Sequence, residues 1–391
     1  MVTFNRNGSW VRLWLVASIA LILAACGGDI SSEGAGGGGG GSGGGTQPPP
    51  PLLTLGSGGK MLAADGNSLL YVAADGSARM RNFGSQTEVV LNGFASLQNA
   101  GDWQLSGGYA YVSAVDADCP QPLPFHCIYQ WDAKGVKTNM SILAGTAGQS
   151  DDLAPSAHDG YLLWNSYGSG ALYNQSTKTF IRLPPGESAV VNSFTVSNGI
   201  VTYYYWHQLP EAFFPQQVYM WSSQTQTSTA LWQMFPGGSV QTDGQTLAWL
   251  GGIYAQGGTH IQNLFWQAAT GGPVSISPDE VGGGAYFLLS EGVLAWVETQ
   301  QTFSRLDLRA VVVSTGKINT LSTDMTARLL GNAAGNVIYQ ESAANKVYRW
   351  QASTGVVTQL LDSVPNQLIQ SGTYVYYTQG SNNDVYQIRL Q

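Results

Sequence analysis

From Leu52 onward, short apolar runs alternate with polar, glycine-bearing turns at a repeat of about 44 residues. The turns read small/polar-x-Gly or a close variant. They are Ala64-Asp65-Gly66, Ser106-Gly107-Gly108, His158-Asp159-Gly160, Ser197-Asn198-Gly199, Thr242-Asp243-Gly244, Ser290-Glu291-Gly292, Ala334-Gly335-Asn336 and Ser371-Gly372-Thr373. An apolar strand follows each one, such as Leu69-Leu70-Tyr71-Val72, Tyr161-Leu162-Leu163-Trp164 or Tyr374-Val375-Tyr376-Tyr377. Asp-Gly and Asn-Gly between apolar runs are hairpin signals, because tight hairpin turns need positive φ at their central residues.

A variable loop then leads to another strand, as in Ile128-Tyr129-Gln130-Trp131, Val218-Tyr219-Met220-Trp221 and Val347-Tyr348-Arg349-Trp350. Tyr-x-Trp spacing puts both rings on one sheet face, since strand side chains alternate with period two. A turn such as Ser314-Thr315-Gly316 or Ser353-Thr354-Gly355 precedes a last strand. With a less regular first strand, each repeat holds four antiparallel strands. Units of that size are β-propeller blades. The expectation is therefore an all-β propeller over residues 52–391. Eight turns predict eight blades, and a different parse of the irregular stretch 98–160 leaves seven as the alternative. The eighth unit reaches Gln391 after its third strand, whereas Leu52-Leu53-Thr54-Leu55 precedes the first unit without a blade of its own. The pattern predicts that residues 52–55 supply the missing outer strand and close the ring, hiding an exposed edge.

The chain before the repeats has a different character. Arg6 and Arg12 precede an apolar run at 13–25. That run is too short for the roughly 20 residues of a membrane-spanning helix, and suits a signal peptide over 1–25. Its end, Leu23-Ala24-Ala25-Cys26, resembles the lipobox of bacterial lipoproteins. The resemblance implies cleavage between Ala25 and Cys26 and acylation of Cys26. Gly27 rather than Asp follows the cysteine, which in that family points to the outer membrane rather than the inner. Residues 26–51 read as a tether, glycine-rich at 34–45 and then Pro48 to Pro51, with a reach on the order of 25–30 Å. The membrane contact expected is the lipid anchor alone.

Composition narrows the function classes. Charged residues are 10% of the 391, Gly accounts for 50, and Lys+Arg total 16 against 24 Asp+Glu. An acidic chain without a basic stripe is not a nucleic-acid binder. The 43% hydrophobic content supports a large core. No Walker loop, dinucleotide fingerprint or G-x-S-x-G elbow occurs, so no cofactor and no serine-hydrolase chemistry is expected.

Candidate chemistry lies in the loops. Cys119 and Cys127 flank a proline-rich loop, and an exported location permits a disulfide there; zinc binding with His126 is the weaker alternative. His158 reads as a solvated turn residue, while His207 and His260 fall in long loops of units four and five. Asp116, Asp118, Asp151 and Asp152 read as solvated loop carboxylates, without a Ca²⁺-loop pattern, and no metal site is expected. Trp206, Phe213 and Phe214 around the longest loop of unit four are the candidate contact residues.

The Asp-Gly turn, apolar strand and Tyr-bearing strand of each unit resemble TolB-like and related bacterial propeller repeats, with Thr242-Asp243-Gly244 as a partial match to their usual turn. That resemblance implies a periplasm-facing propeller of the envelope. The leading expectation is a non-enzymatic scaffold for an envelope protein or glycan. Two rivals stay open: a glycan- or peptide-processing enzyme with its site at the propeller mouth, and a sugar-binding surface module.

Overall fold

The computed structural model describes residues 50–120, 125–147, 152–166, 169–183, 189–197, 199–207, 216–234, 240–254, 260–268, 274–276, 286–299 and 306–391. These residues form 32 strands in eight four-stranded antiparallel sheets. Blade 1 is β2 (Lys60–Asp65), β3 (Ser68–Val72), β4 (Ala78–Asn82) and β5 (Thr87–Val90). Blade 2 is β6 (Gln98–Ser106), β7 (Tyr109–Val115), β8 (Cys127–Trp131) and β9 (Lys137–Asn139). Blade 3 is β10 (Leu153–His158), β11 (Tyr161–Ser166), β12 (Ser169–Asn174) and β13 (Thr179–Arg182). Blade 4 is β14 (Ala189–Ser197), β15 (Ile200–His207), β16 (Gln216–Ser222) and β17 (Thr227–Met234). Blade 5 is β18 (Val240–Thr242), β19 (Thr246–Tyr254), β20 (His260–Ala268) and β21 (Val274–Ser275). Blade 6 is β22 (Phe287–Ser290), β23 (Val293–Thr299), β24 (Leu306–Val312) and β25 (Lys317–Ser322). Blade 7 is β26 (Ala327–Ala333), β27 (Asn336–Glu341), β28 (Lys346–Gln351) and β29 (Val356–Leu361). Blade 8 is β30 (Gln367–Ser371), β31 (Tyr374–Gln379), β32 (Asp384–Arg389) and β1 (Leu53–Thr54).

The first strand of every blade packs on the first strands of both neighbours, and β30 packs on β2, so the inner strands form a closed ring. The expected closure holds. Leu53 pairs with Val385 and Thr54 with Asp384, and Leu52 N–H and Gly56 N–H donate to Val385 O and Asn382 O at 2.8 Å each. The seven-blade parse fails because the irregular stretch is one blade lengthened by a loop and a short helix, α1 (Met140–Ala144).

The core sits between blades. Leu70, Ala78, Ala110, Val112 and Trp131 join blades 1 and 2, and Tyr111, Ile128, Leu162 and Trp164 join blades 2 and 3. Leu55, Met61, Tyr71, Tyr376 and Val385 join blade 8 to blade 1. Both faces of a blade are covered in this way, which is why aromatics recur at equivalent positions. Trp131, Trp164, Trp221, Trp296 and Trp350 are all fully buried. They present no exposed platform of the kind a sugar-stacking module needs.

The repeated turn has a second role beyond its tight geometry. Asp65 Oδ2 accepts from Gly107 N–H of the next blade at 2.7 Å, and Asp243 Oδ2 accepts from Gly292 N–H. Ser371 Oγ accepts from Gly66 N–H at 2.8 Å across the closure. In each case the polar residue of one blade caps the turn of the following blade, and the donor glycine has positive φ. Inner-strand amides add further ties. Gln241 donates to Phe287 O and accepts from Leu289 N–H, Asn332 donates to Leu288 O and Val293 O, and Gln367 accepts from Met61 N–H.

Candidate functional site

Antiparallel strands alternate in direction, so the connections of a propeller divide between two faces. First-to-second and third-to-fourth turns lie at one end. Second-to-third loops and blade-to-blade connections lie at the other. The clamped turns occupy the first face. The loop before β8, α1 and the connection into β10 all belong to the second, here termed the loop face.

Blade 2 carries the most elaborate described part of that face. Cys119 and Cys127 are disulfide-bonded with Cα atoms 6.1 Å apart, as the sequence suggested, and both are buried. The zinc alternative is thereby excluded for these thiols. Lys137 forms ion pairs with both Asp116 and Asp118 and lies over the Tyr129 ring. Tyr129 OH donates to Asp118 Oδ1 at 2.6 Å. Asp116 is buried rather than solvated, which corrects the expectation. Burial works against its carboxylate, but hydrogen bonds from Lys137, Ala117 N–H and Ser96 outweigh that and hold its pKa below the usual range. The network and the disulfide fix the loop from two sides.

Asp152 also departs from expectation, being fully buried between blades 2 and 3. Thr146 Oγ1 donates to its Oδ2 at 2.6 Å, and Ser113 Oγ donates to its carbonyl at 2.8 Å. Burial pushes its carboxyl pKa up, and the surrounding hydroxyls of Ser141, Thr146 and Ser166 offset this only in part. Asp152 N–H donates to His126 O at 3.0 Å, which ties the stapled loop to blade 3.

The residue that sequence reasoning missed is Asp102. Its strand β6 shifts register twice, between Gln98 and Gly101 and between Gly101 and Gln104. The other described inner strands shift at most once, as in β2, β10, β14 and β26. Asp102 is an extra residue of the second bulge, with φ 55°. Bulges bend a strand and re-aim a side chain. The neighbouring inner strand β10 carries its own irregularity between Leu153 and Ser156, with Ala154 at φ 51°. Ala154 N–H hydrogen-bonds the Asp102 carboxylate, and the His126 imidazole lies near it. Burial pushes the Asp102 pKa up; His126 and the N–H oppose this without cancelling it. The signal available in the sequence was Gly101-Asp102, two residues disfavoured inside a strand.

The remaining candidates are dispersed. His158 is exposed, as expected, but it ends β10 opposite Tyr161 rather than lying in the turn, with Nδ1 2.8 Å from Asp159 Oδ2. His207 and His260 are strand residues rather than loop residues: His207 ends β15 opposite Ala189, and His260 opens β20 opposite Tyr254. Trp206 lies in β15 opposite Val190. Ala25, Cys26, Asp151, Phe213 and Phe214 lie outside the described residues. Among the described residues, no group of three His, Cys, Asp or Glu side chains is placed to hold a metal ion.

The protein class that this geometry defines is the eight-bladed β-propeller. No protein-family model matches the chain. No curated protein matches it. Solved structures do, at the level of fold. Two prolyl endopeptidases studied for inter-domain dynamics are represented by a chain of 13% identity and TM-score 0.52, covering 83% of this chain and 53% of that one. Dipeptidyl peptidase 4 of Porphyromonas gingivalis matches at 14% identity and TM-score 0.54, with coverages of 83% and 56%. Acylaminoacyl peptidase of Pyrococcus horikoshii matches at 8% identity and TM-score 0.50, with coverages of 76% and 52%. The chain thus spans about half the length of these peptidases.

Proposed function

We propose that the chain is a lipid-anchored, TolB-like β-propeller of the bacterial envelope, on the outer membrane, acting as a non-enzymatic scaffold that binds an envelope protein through its loop face. The asymmetry of the two faces carries this reading. One face bears short turns, clamped blade to blade at three described junctions, whereas the other bears a loop fixed by a disulfide and an ion-pair network. Shaped loops on a rigid scaffold are the usual binding elements of a domain. The lipobox at Ala25-Cys26 and the tether at 26–51 support anchoring, because the body can then reorient without a membrane-docking face of its own.

In-cell crosslinking and capture, comparing the native chain with Cys26→Ser, tests both parts. Fatty-acid labelling of the native chain that disappears in Cys26→Ser supports the anchor, and labelling of both forms counts against it. Capture of one specific envelope protein, reduced when the loop is freed by Cys119→Ser/Cys127→Ser, supports the scaffold. No capture by either form counts against it.

A second reading is a peptide-processing enzyme. Its support is the likeness in fold to propeller-bearing peptidases and the proximity of Asp102 and His126 on the inner side of blade 2. Peptide cleavage by the purified chain that is lost in both Asp102→Asn and His126→Ala would favour it over the scaffold.

A further inference from the structure

Blade 8 is finished by a strand too short for its place. β31 pairs with β32 along all six residues from Asp384 to Arg389. On the other side of β32, β1 covers only Asp384 and Val385. Outer strands elsewhere reach further, over four residues in β5 and β13 and five in β25 and β29. The outer edge of β32 from Gln387 to Arg389 therefore has no ladder partner among the described residues. Backbone groups of successive strand residues point to opposite sides. Val385 O accepts from Leu52 N–H on the outer side, and Leu390 N–H donates to Thr373 O on the inner side. By that alternation the N–H and C=O of Gln387 and Arg389 face outwards, where an added strand would meet them.

The sequence of this chain keeps the place open. The chain bends at Leu52, and Pro50 and Pro51 are exposed beyond it. Continued in the register of β1, Pro51 and Pro49 would fall opposite Gln387 and Arg389. Proline has no N–H to give to a ladder. The start of the tether thus ends the closing strand and is unfit to lengthen it.

The side chains along the edge define what would fit. Ile388 packs half-buried against the core shared by blades 7 and 8, and Leu390 is buried in it. Gln387 lies on the other side of blade 8, where it donates to Asn67 Oδ1 of blade 1 at 3.0 Å. Arg389 is exposed on that same side. Its guanidinium lies 5.8 Å from the centroid of the Tyr374 ring, without an ion pair among the described residues. An incoming antiparallel strand would lay apolar side chains beside Ile388 and Leu390, and an acidic one beside Arg389.

We propose that the outer edge of β32 binds an extended segment of another protein, added antiparallel at Gln387–Arg389, with an Asp or Glu opposite Arg389 and an apolar residue opposite Ile388. The site lies at the rim of blade 8, apart from the stapled loop of blade 2, and so goes beyond the scaffold reading.

The test uses the purified full chain and a fluorescent peptide, Thr-Val-Glu-Val-Thr, blocked at both ends and read by anisotropy. Binding is expected, with slower amide exchange at Gln387 and Arg389. N-methylation at the Glu, whose amide faces β32, should weaken binding by about tenfold or more, and N-methylation at the Val before it, whose amide faces away, should not. Arg389→Glu should lose this peptide and bind its Lys counterpart. Pro49→Glu/Pro50→Val/Pro51→Thr lets the chain complete the strand itself, so it should raise the melting temperature and exclude the peptide. The methylated peptides are read on the native chain, so they decide the matter even if a variant fails to fold. No binding at millimolar peptide, equal binding of the two methylated peptides or undiminished binding by the triple variant overturns the site. So does a dimer of the native chain that the triple variant disperses, which would give the edge to a second copy. Each of these results leaves the scaffold reading standing, because that is measured by capture through the loop of blade 2.

Discussion

Asp116 in blade 2 and Asp152 between blades 2 and 3 respond to pH in opposite ways. Burial lifts the folded-state pKa of Asp152 above its unfolded value of about 3.9. Its contribution to stability is therefore complete below that unfolded value and is lost as pH rises through the folded one. Asp152→Asn cannot ionise. Its unfolding free energy should fall less than that of the native chain between pH 4 and pH 7, by about 1.4 kcal/mol for each unit of displacement. Urea unfolding at the two pH values measures this, and parallel behaviour of both proteins would show that the hydroxyls around Asp152 compensate fully. Asp116 has its pKa held down, so its contribution is present at neutral pH and lost on acidification. Neither burial was legible in the sequence. Asp151-Asp152 and Asp116-Ala117-Asp118 have the composition of solvated loops; only the packing of blade 2 on blade 3 places hydroxyls around Asp152, and only the fold of blade 2 places Lys137 beside Asp116.

At the scale of elements, the clamp between successive turns and the stapled loop give separate predictions. Asp65→Ala and Asp243→Ala each leave a glycine N–H of the next blade without its acceptor, and each should lower stability by about 1–2 kcal/mol in chemical denaturation. The sites lie in blades 1 and 5, so the double variant should show the sum within a few tenths. Cys119→Ser/Cys127→Ser opens a loop of sequence separation 8 and should cost about 2–3 kcal/mol by the loop-entropy argument. Alkylation of the native protein without reductant should label neither cysteine. The turns were legible because Asp-Gly fixes local backbone geometry. The reach of Asp65 to Gly107 was not, because it spans 42 residues and depends on how one blade leans on the next.

For the whole molecule, the ring closes in two layers. The outer layer is the short pairing of β1 with β32. The inner layer is the packing of blade 8 on blade 1, with Tyr376 OH donating to Gly66 O at 2.9 Å and Phe83 stacked on Tyr376. Leu55 belongs to both, being buried directly after β1. Leu55→Ala should cost about 2–4 kcal/mol, and deletion of residues 52–56 should lower the melting temperature by more than Leu55→Ala does. An unchanged melting temperature after the deletion would show that the inner layer closes the ring unaided.

The repeat, the strand order within each unit, the blade number and the closing strand followed from the sequence by itself. Each is set by a local rule: positive φ at Gly turns, period-two alternation in strands, and an unpaired edge that needs a partner. The Cys119–Cys127 bond followed from proximity in the chain. What only the tertiary structure decided is where polar groups end up. The burial of Asp116 and Asp152, the blade-to-blade clamps and the Asp102 bulge depend on how neighbouring blades lean together and which of their atoms meet. Many of those contacts join residues tens of positions apart, and no local pattern of apolar and polar residues encodes them.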